Sequence, residues 1–473
     1  MSDIKDLFVF HLADGLREGL SHFSQTSRAA LLYAFGTGDP MRVYDPQNLL
    51  QDHKPKIDEL YCKSEDWRRA ECLIRGKRWP GLCFVEDLGL AGLLSWGGRS
   101  EAVPYQMWFT EHHPDMCNTG PTHRWLEYAV VLLSQDVSAC SPLNIGASGY
   151  VLREYATHAV RDYIVDQRNM TIGLDTKMRV YPVLDAVLGI SETVEEGEWA
   201  HGTLAFVEPD SVQHKVNFLA RFPDREQPKL KKLKHVRKLL QAVEFSNRVL
   251  VSDGVNIIGV AEDPMPRGHI RARFVGTHGY LHLDDTPICS FYDGNFHSTT
   301  RQAKLVEVEE ILYESTLPAY QKTELFKIIA TLVHNAQDRR HGCTLVIDLD
   351  PEPATIPGQS LSPPLDLRNR TQLELAQSLS KIDGALYIRR DQRLHAFACL
   401  LDGLAVPGES RSRGARFNSA VRFTARHENL FIVVVSADRP VSIIQKGIEL
   451  NTLCDYLPPT PTTPPTLEQW LDQ

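Results

Sequence analysis

The feature of this sequence that most constrains its fold is an amphipathic helical pattern followed at once by an apolar strand, both in the last third of the chain. Apolar residues recur at the i, i+3, i+4 spacing of a helix between residues 319 and 339: Leu325, Ile328, Ile329, Leu332 and Val333. The next run, residues 341–350 (HGCTLVIDLD), predicts a buried strand. A striped helix beside an apolar strand indicates helices packed on a sheet, so we expect an α/β fold here.

Length and local patterns divide the chain into four regions. At about 100–200 residues per domain, 473 residues suffice for two to three domains. Residues 1–200 mix helical and irregular patterns, including a predicted helix over Ser27–Phe35, and residues 201–315 form a second α+β region. The α/β region covers 316–455, and the tail at 456–473 is too rich in Pro and Thr to fold on its own.

A weak internal repeat relates the second and third regions. Residues 201–204 (HGTL) resemble residues 341–345 (HGCTL), and each segment is followed by a helix and then by a strand–turn–strand pattern. Only the second copy continues into an arginine-rich loop. Two interpretations stay open, a degenerate duplication and a chance match, because short matches of this kind arise often.

The composition of the chain indicates which partners and which cellular compartment to expect. A net charge of -9 argues against a general nucleic-acid coat, which needs a broad basic surface. The nine cysteines form no CxxC pair, and reduced thiols in a cytosolic protein are their simplest interpretation. The N-terminus lacks a basic signal-peptide region, and no uncharged apolar run approaches the roughly 20 residues of a membrane span. We therefore expect a cytoplasmic protein with neither a membrane nor a nucleic-acid partner.

Two short motifs in the last third carry the chemistry of a phosphate site. The Asp383–Ala385 motif (DGA) lies where a helix passes into a strand, so its carboxylate can hold a hard divalent cation and its glycine lets a ligand approach the backbone. The Arg413–Arg416 motif (RGAR) offers backbone N–H groups and a guanidinium fork suited to phosphate, just before a helix expected from Phe417. A nucleoside triphosphate requires these parts together.

In the order and spacing of its motifs, the region from about 320 to 450 resembles the diadenylate cyclase (DAC) domain, known from the DNA-integrity scanning protein DisA and from membrane-bound bacterial cyclases. That family places an HG-plus-strand element first, then a helix, DGA, a strand–turn–strand, a Gly-Thr-Arg-His-Arg-x-Ala loop and a strand ending in Val-Ser. The counterparts here are 341–342 (HG), 383–385 (DGA), 414–420 (GARFNSA) and 435–436 (VS). The resemblance implies a mixed β-sheet flanked by helices, preceded by an α+β N-terminal region that is similar to a sensor.

The family's residue roles carry over to matching positions. Asp383 becomes the ligand of a catalytic Mg²⁺ or Mn²⁺ and helps to activate a ribose 3′-hydroxyl, while Arg416 becomes the phosphate clamp. The residues expected to bind the nucleotide are Gly384, Ala385, Leu401, Arg413, Gly414, Ala415, Ser436 and Asp438. Simpler interpretations stay open for some of them, because Asp383 alone fits a solvated turn, and Ser436 and Asp438 fit an ordinary hairpin turn.

The later motif departs from the family pattern at three positions. Ala415, Phe417 and Asn418 stand where the family carries Thr, His and Arg, so a hydroxyl and two donor groups are missing. Arg411 and Arg413 are close enough in sequence to supply charge, although a solvated loop explains them equally well. The RGAR-x-NSA version resembles a family branch with an N-terminal sensor region, which favours a coherent variant over a decayed site.

The resemblance implies that two ATP molecules are condensed into cyclic di-AMP with release of pyrophosphate. Each subunit holds one ATP, so we expect a face-to-face homodimer or a higher homo-oligomer, with an unknown ligand acting on the N-terminal region to gate the reaction. Two alternatives stay open: a catalytically silent sensor that binds a nucleotide or cyclic dinucleotide, and a cyclase with an altered base or product.

Overall fold

The structure is a computed structural model, and it describes these residues: 2–24, 27–69, 74–75, 79–85, 87–113, 115–139, 146–174, 176–195, 197–244, 247–300, 305–339, 341–405, 413–427, 429–436, 441–450 and 463–473. The chain divides into two units. Unit 1 comprises Met1–Thr300 with Asp455–Gln473, and unit 2 comprises Arg301–Cys454.

Unit 1 begins with an antiparallel sheet and the helices of the first 191 residues. The strands are β1 (Ala29–Ala34), β2 (Arg42–Tyr44), β3 (Ile74–Arg75), β4 (Leu82–Val85), β5 (Leu93–Ser100) and β6 (Tyr105–Glu111). The helices are α1 (Ser2–Ser24), α2 (Lys54–Tyr61), α3 (Asp66–Arg69), α4 (Gly120–Ala139), α5 (Ala147–Arg153), α6 (Ala156–Ile172) and α7 (Val180–Ser191). The strand order is β2-β1-β6-β5-β4-β3.

The predicted helix over Ser27–Phe35 is wrong, because this segment contains β1. All six residues of β1 are buried: Leu31 lies in the core cluster that contains residues of α1 and α4, and Leu32 lies in the cluster on the opposite side. A strand covered on both faces carries no polar alternation. Its Ala- and Leu-rich run therefore shows no period of two and was indistinguishable from a helix by pattern alone.

A second, mixed sheet completes the β-structure of unit 1. Its strands are β7 (His201–Phe206), β8 (Phe218–Arg221), β9 (Arg248–Ser252), β10 (Ile257–Glu262), β11 (Ile270–Val275), β12 (His278–Leu283), β13 (Thr286–Tyr292) and β14 (Asn295–His297). The helices here are α8 (Pro209–Lys215) and α9 (Leu233–Leu240). The strand order is β14-β13-β12-β11-β7-β9-β10-β8, and β7 pairs in parallel with β9.

Unit 2 is a mixed sheet flanked by helices, which confirms the fold class predicted for the last third. Its strands are β15 (Cys343–Asp348), β16 (Gln359–Asp366), β17 (Ala385–Arg389), β18 (Arg393–Cys399), β19 (Leu430–Val435), β20 (Ser442–Gln445) and β21 (Ile448–Glu449). The helices are α10 (Val306–Glu314), α11 (Ala319–Asp338), α12 (Arg370–Leu379) and α13 (Ala415–Thr424). The strand order is β16-β18-β17-β15-β19-β20-β21.

Alternate residues of β15 show how the unit 2 sheet is covered on both faces. Leu345 and Ile347 lie in the core cluster formed with α10, α11 and α12. Val346, on the opposite face, lies in the cluster formed with Ala420 and Val421 of α13. The sheet is therefore a rigid platform, and the segments at its edges and strand ends hold the side chains that can face a ligand.

The two mixed sheets share one strand order. Strands β7 to β12 lie in the order β12-β11-β7-β9-β10-β8, and strands β15 to β20 lie in the order β20-β19-β15-β17-β18-β16. In each sheet the first of these strands pairs in parallel with the third and antiparallel with the fifth. The match of residues 201–204 to 341–345 thus falls on equivalent strands. Unit 2 adds α13, whereas the fully described segment between β10 and β11 contains no helix.

The N-cap of α12 offers a direct test of local structure. The side-chain carbonyl of Asn369 accepts hydrogen bonds from the backbone N–H groups of Thr371 (3.0 Å) and Gln372 (3.4 Å). Thr371 and Glu374 have the residue types and spacing of a capping box, which predicts Thr371 as the N-cap. This prediction is wrong, because Thr371 is the second residue of the helix and Asn369 is its N-cap. We expect Asn369→Ala to lower the local opening free energy of the first turn of α12 by about 1 kcal/mol, while Thr371→Ala changes it by less than about 0.5 kcal/mol. Hydrogen exchange of the α12 amides measures both, and equal effects would contradict this cap.

The C-terminal tail packs on the first sheet of unit 1. Arg42 of β2 forms an isolated antiparallel bridge with Thr466, and a short helix, α14 (Leu467–Leu471), follows with a complete capping box. Leu467 and Trp470 are buried in the same cluster as Leu32. The described part of the tail, residues 463–473, thus contributes two side chains to the core of unit 1. In the described part of the chain, no helix combines the length and apolar content that crossing a bilayer would require.

Candidate functional site

The centre of the candidate site is an ion pair between the two predicted catalytic residues. Asp383 Oδ1 lies 2.9 Å from Arg416 Nη2, although 32 residues separate the two in the chain. The Asp383 side chain is 98% exposed and that of Arg416 is 46% exposed. Both charges are therefore available to a ligand, and the exposed pair contributes little to stability in solution.

Two glycines allow this approach. A Cβ on Gly342, just before β15, would lie 2.6 Å from Arg416 Nη1, so the guanidinium would have to move away from this backbone to make room for a side chain. Gly384 has φ +108°, and its Cβ would lie 2.5 Å from the carbonyl carbon of Ala398 in β18. A side chain at Gly384 would therefore be strained in conformation and would clash with backbone. Gly342 of the HG motif and Gly384 of the DGA motif thus both allow the backbone to lie close to the ion pair.

Helix α13 places Arg416 in its first turn. The helix begins at Ala415 with Gly414 as its N-cap, two residues before the predicted start, and no side-chain cap hydrogen bond is present. As in any α-helix, the first backbone N–H groups have no intrahelical acceptor. They point out of the N-terminal end of the helix, where the helix dipole stabilises an anion. No atom of the described residues lies within 4 Å of a Cβ placed on Gly414, so none of them blocks a ligand at this N-terminus.

Arg413 is held by a partner that the sequence motifs did not reveal. Its Nη2 lies 2.7 Å from Glu449 Oε2 at the end of β21, and its guanidinium carbon lies 4.5 Å from the centre of the Phe417 ring. The Asn418 side-chain amide donates to the Arg413 carbonyl at 3.3 Å. Two of the three positions that depart from the family pattern, Phe417 and Asn418, thus contact Arg413.

His341 forms a polar neighbour of the ion pair. Its Nε2 lies 3.0 Å from the Ser380 hydroxyl oxygen. Burial lowers the pKa of this imidazole, and the charges of Lys381, Arg339 and Arg416 lower it further, so the ring is neutral at pH 7. Nδ1 is buried and has no hydrogen-bond partner among the described residues. Ser380 was missed from the sequence because no motif joins it to His341, 39 residues away.

The remaining predicted residues are distributed unevenly around this centre. Ala385 is buried in β17, directly after the Asp383 turn, and Leu401 is half-buried against the core on the α13 side of the sheet, together with Phe417. Ser436 follows the last residue of β19 and is half-buried. Asp438, like Arg411, lies outside the described residues.

The donor set near Asp383 fits a cation that is carried by the nucleotide. In the described ranges no group of three or more His, Cys, Asp or Glu residues is arranged to hold a metal ion. Asp383 instead supplies one exposed carboxylate, whose second oxygen has no partner in that same part of the chain. Mg²⁺ in nucleotide enzymes is commonly bound by one or two carboxylates together with substrate phosphates and water. The residues present therefore suit such an ion.

Comparisons with known families agree with the motifs. Residues 331–448 match the family model described as the DisA bacterial checkpoint controller nucleotide-binding domain, DAC. Residues 3–174 match the model of the probable sensor domain DACND, and residues 181–289 match that of the probable sensor domain DACNH. The resemblance inferred from the sequence is thereby confirmed. No curated protein matches the chain.

Two solved structures show a local similarity. One is a hypothetical membrane-spanning protein from Bacillus cereus, with 19% identity and a TM-score of 0.21 over 26% of this chain and 60% of that one. The other is a double mutant of DacA from Staphylococcus aureus, with 20% identity and a TM-score of 0.22 over 28% of this chain and 87% of that one. The match thus spans less than two thirds of the Bacillus cereus protein.

Proposed function

Since this chain carries a DAC domain of the DisA nucleotide-binding type behind two sensor-like domains, we propose that it is a diadenylate cyclase. It condenses two ATP molecules into cyclic di-AMP and releases two pyrophosphates. The observation that carries the proposal is the 2.9 Å pairing of Asp383 with Arg416 over the backbone of Gly342. Three motifs that are far apart in the chain supply one exposed, charged site of the composition that phosphoryl transfer requires.

The residues divide the chemistry between them. The oxygen of each ribose 3′-hydroxyl forms a bond to the α-phosphorus of the other ATP, and the bond from that phosphorus to the pyrophosphate oxygen breaks. Asp383 lies at the attacking side, where it orients the hydroxyl and helps to take up its proton. Arg416 and the N-terminus of α13 bind the phosphate oxygens on which negative charge grows. A bound Mg²⁺ or Mn²⁺, held by Asp383 and the phosphates, would supply charge neutralisation there.

The reaction requires two copies of unit 2. Each copy binds one nucleotide, and each nucleotide must present both a 3′-hydroxyl and an α-phosphate to the other. We therefore place the active form in a face-to-face homodimer or higher homo-oligomer. The N-terminal domains control this encounter in response to a ligand. We also propose that the reaction takes place in the cytoplasm, where ATP is available.

One observation favours a second function, a nucleotide-binding sensor without turnover. Arg413, one of the two arginines that could supply the charge of the lost family residues, is already paired with Glu449. Its charge is neutralised and its guanidinium is packed on Phe417. In this state Arg416 alone supplies side-chain charge to phosphate among the described residues of the motif. A site with a single arginine for phosphate, itself paired with Asp383 at 2.9 Å, suits binding of a nucleotide better than its rapid conversion.

Product analysis separates these functions. The full chain is incubated with an equimolar mixture of ATP, GTP, CTP and UTP and with Mg²⁺ or Mn²⁺, and the products are identified by mass spectrometry over a series of protein concentrations. We expect cyclic di-AMP and pyrophosphate, with a specific rate that rises with protein concentration because two subunits must meet. Nucleotide binding without any dinucleotide at all concentrations would support the sensor function, and a cyclic dinucleotide with another base would show altered specificity.

A further inference from the structure

A polar cavity lies in unit 1, within the segment that matches the DACND domain. It has a volume of about 230 Å³, is partly open to solvent and lies between helices α4 and α6. The residues that line it are Trp79, Arg124, Glu127, Tyr128, Val131, Tyr155, His158, Arg161 and Asp162. The α4 residues are spaced i, i+3, i+4, i+7, so they share one helix face, and so do the three from α6. Facing positions of packed helices are normally apolar, which makes this charged and aromatic lining unusual.

Aromatic rings form one wall of the cavity. The ring centres of Tyr128 and Tyr155 are 4.3 Å apart with an angle of 19° between the planes, and the His158 ring continues the stack at 5.9 Å and 8°. In the described part of the chain, Tyr155 is the one aromatic ring that stacks on Tyr128. Because the Tyr128 ring also lines the cavity, a planar ligand inside the cavity would lie beside this aromatic stack.

The charges of the cavity are balanced before any ligand binds. Arg124 donates hydrogen bonds to Glu127 and to Asp166. Arg161 donates to Asp162 Oδ1 at 2.7 Å, and the Tyr155 hydroxyl donates to Asp162 Oδ2 at 3.0 Å. Each arginine is therefore neutralised by a carboxylate. A phosphate or another strong anion would have to break these pairs, whereas an uncharged ligand leaves them in place.

The size of the cavity and the hydrogen-bonding groups of its lining further restrict the class of ligand that it can bind. A cavity of about 230 Å³ lies below the roughly 300–1,000 Å³ typical of drug-sized ligands, so it suits a one- or two-ring heterocycle. Guanidinium groups donate hydrogen bonds and carboxylates accept them. The edge of a nucleobase offers both the carbonyl or ring-nitrogen acceptors and the N–H donors that such a lining recognises.

We propose that this cavity is the ligand site of the N-terminal region and that it binds an uncharged planar heteroaromatic molecule of the nucleobase class. The ring of this ligand stacks on the Tyr128 ring, and the polar edge of the ligand contacts the Arg124–Glu127 and Arg161–Asp162 pairs. The site goes beyond the proposed cyclase activity, because it lies in another domain and its occupancy is measured without turnover. Failure of one proposal therefore leaves the other intact.

Calorimetry on the full chain tests the site, with adenine and hypoxanthine as probes and with AMP and tryptophan as charged and zwitterionic comparisons. We expect saturable binding of at least one base, no gain in affinity from the phosphate of AMP, and no binding of tryptophan. Tyr128→Leu should weaken base binding by about tenfold or more, because stacking on an aromatic side chain typically contributes that much. Tyr150→Leu is the matched control, since Tyr150 is 67% exposed and does not line the cavity.

The outcomes decide the proposal in either direction. Equal base binding by wild type, Tyr128→Leu and Tyr150→Leu would overturn it, as would binding of tryptophan alone or the absence of saturable base binding at millimolar concentration. If Tyr128→Leu does not fold, Glu127→Gln takes its place, because it keeps the side-chain shape and removes the acceptor charge. We then expect base affinity to fall at least about threefold, and an unchanged affinity would also overturn the proposal.

Discussion

Asp383→Asn is expected to abolish cyclic di-AMP formation, with a rate at least about a thousandfold below wild type, equivalent to about 4 kcal/mol of activation free energy. The substitution keeps the shape of the side chain but removes the charge that holds the cation and assists the 3′-hydroxyl. It also removes the ionic component of the 2.9 Å contact with Arg416. Because Asp383 is 98% exposed, the melting temperature should not change, so loss of activity reports on chemistry and not on folding.

Asp391→Asn is the matched control for this experiment. Asp391 follows the C-terminal end of β17, whereas Asp383 precedes its N-terminal end. The Asp391 carboxylate accepts a hydrogen bond from the backbone N–H of Arg393 at 3.2 Å and lies 2.9 Å from His395 Nε2, and both of these residues belong to β18. We expect wild-type activity from this variant. Product release followed by mass spectrometry or by a pyrophosphate assay measures both. Full activity of Asp383→Asn would exclude this carboxylate from the mechanism.

Arg416→Gln is expected to lower kcat/KM for ATP by about 10³-fold or more, the range measured when an arginine is lost from a phosphoryl-transfer site. With Arg413 engaged by Glu449, the described part of the motif has no second free guanidinium to compensate. The loss should appear in both KM and kcat, since Arg416 contacts phosphate before and during the reaction. Removal of the guanidinium from above Gly342 creates no buried charge, so we expect the fold to persist.

Arg426→Gln is the corresponding control on the same helical segment. Arg426 is exposed just beyond the C-terminal end of α13, remote from its phosphate-facing N-terminus. Steady-state kinetics over a range of ATP concentrations should give wild-type constants for this variant. Equal losses in the Arg416 and Arg426 variants would point to a general effect of net charge and would contradict a phosphate clamp at Arg416.

The local elements of unit 2 were predictable because their patterns are strong. The stripe from Leu325 to Val333 predicted α11, and the apolar run at residues 341–350 predicted β15 close to its observed bounds. The prediction was wrong where a sequence pattern is compatible with both a helix and a strand. β1 is as rich in Ala and Leu as a helix, and only its position between two covered faces makes it a strand. The N-cap of α12 is Asn369 and not Thr371, because several residues near a helix start have side chains that can serve as caps.

The sequence alone determined the motifs, their order and the family that they resemble. DGA and RGAR are local features, since each consists of a glycine next to a charged residue. Such features can be recognised in the sequence. It could not show which side chains meet. The 2.9 Å contact of Asp383 with Arg416, the capture of Arg413 by Glu449 and the ring wall of Tyr128 and Tyr155 all join distant parts of the chain.

Those contacts are decided by packing on the sheets and between helices. In unit 2, β15 lies between β17 and β19, so the DGA turn and the start of α13 are brought to the same region as Gly342. In unit 1, α4 and α6 face one another with polar positions whose spacing, read singly, predicts only solvated helix faces. Burial between helices turns such faces into a cavity. The type and order of the residues can thus be read from the sequence, whereas the distances between charged side chains depend on how the chain folds.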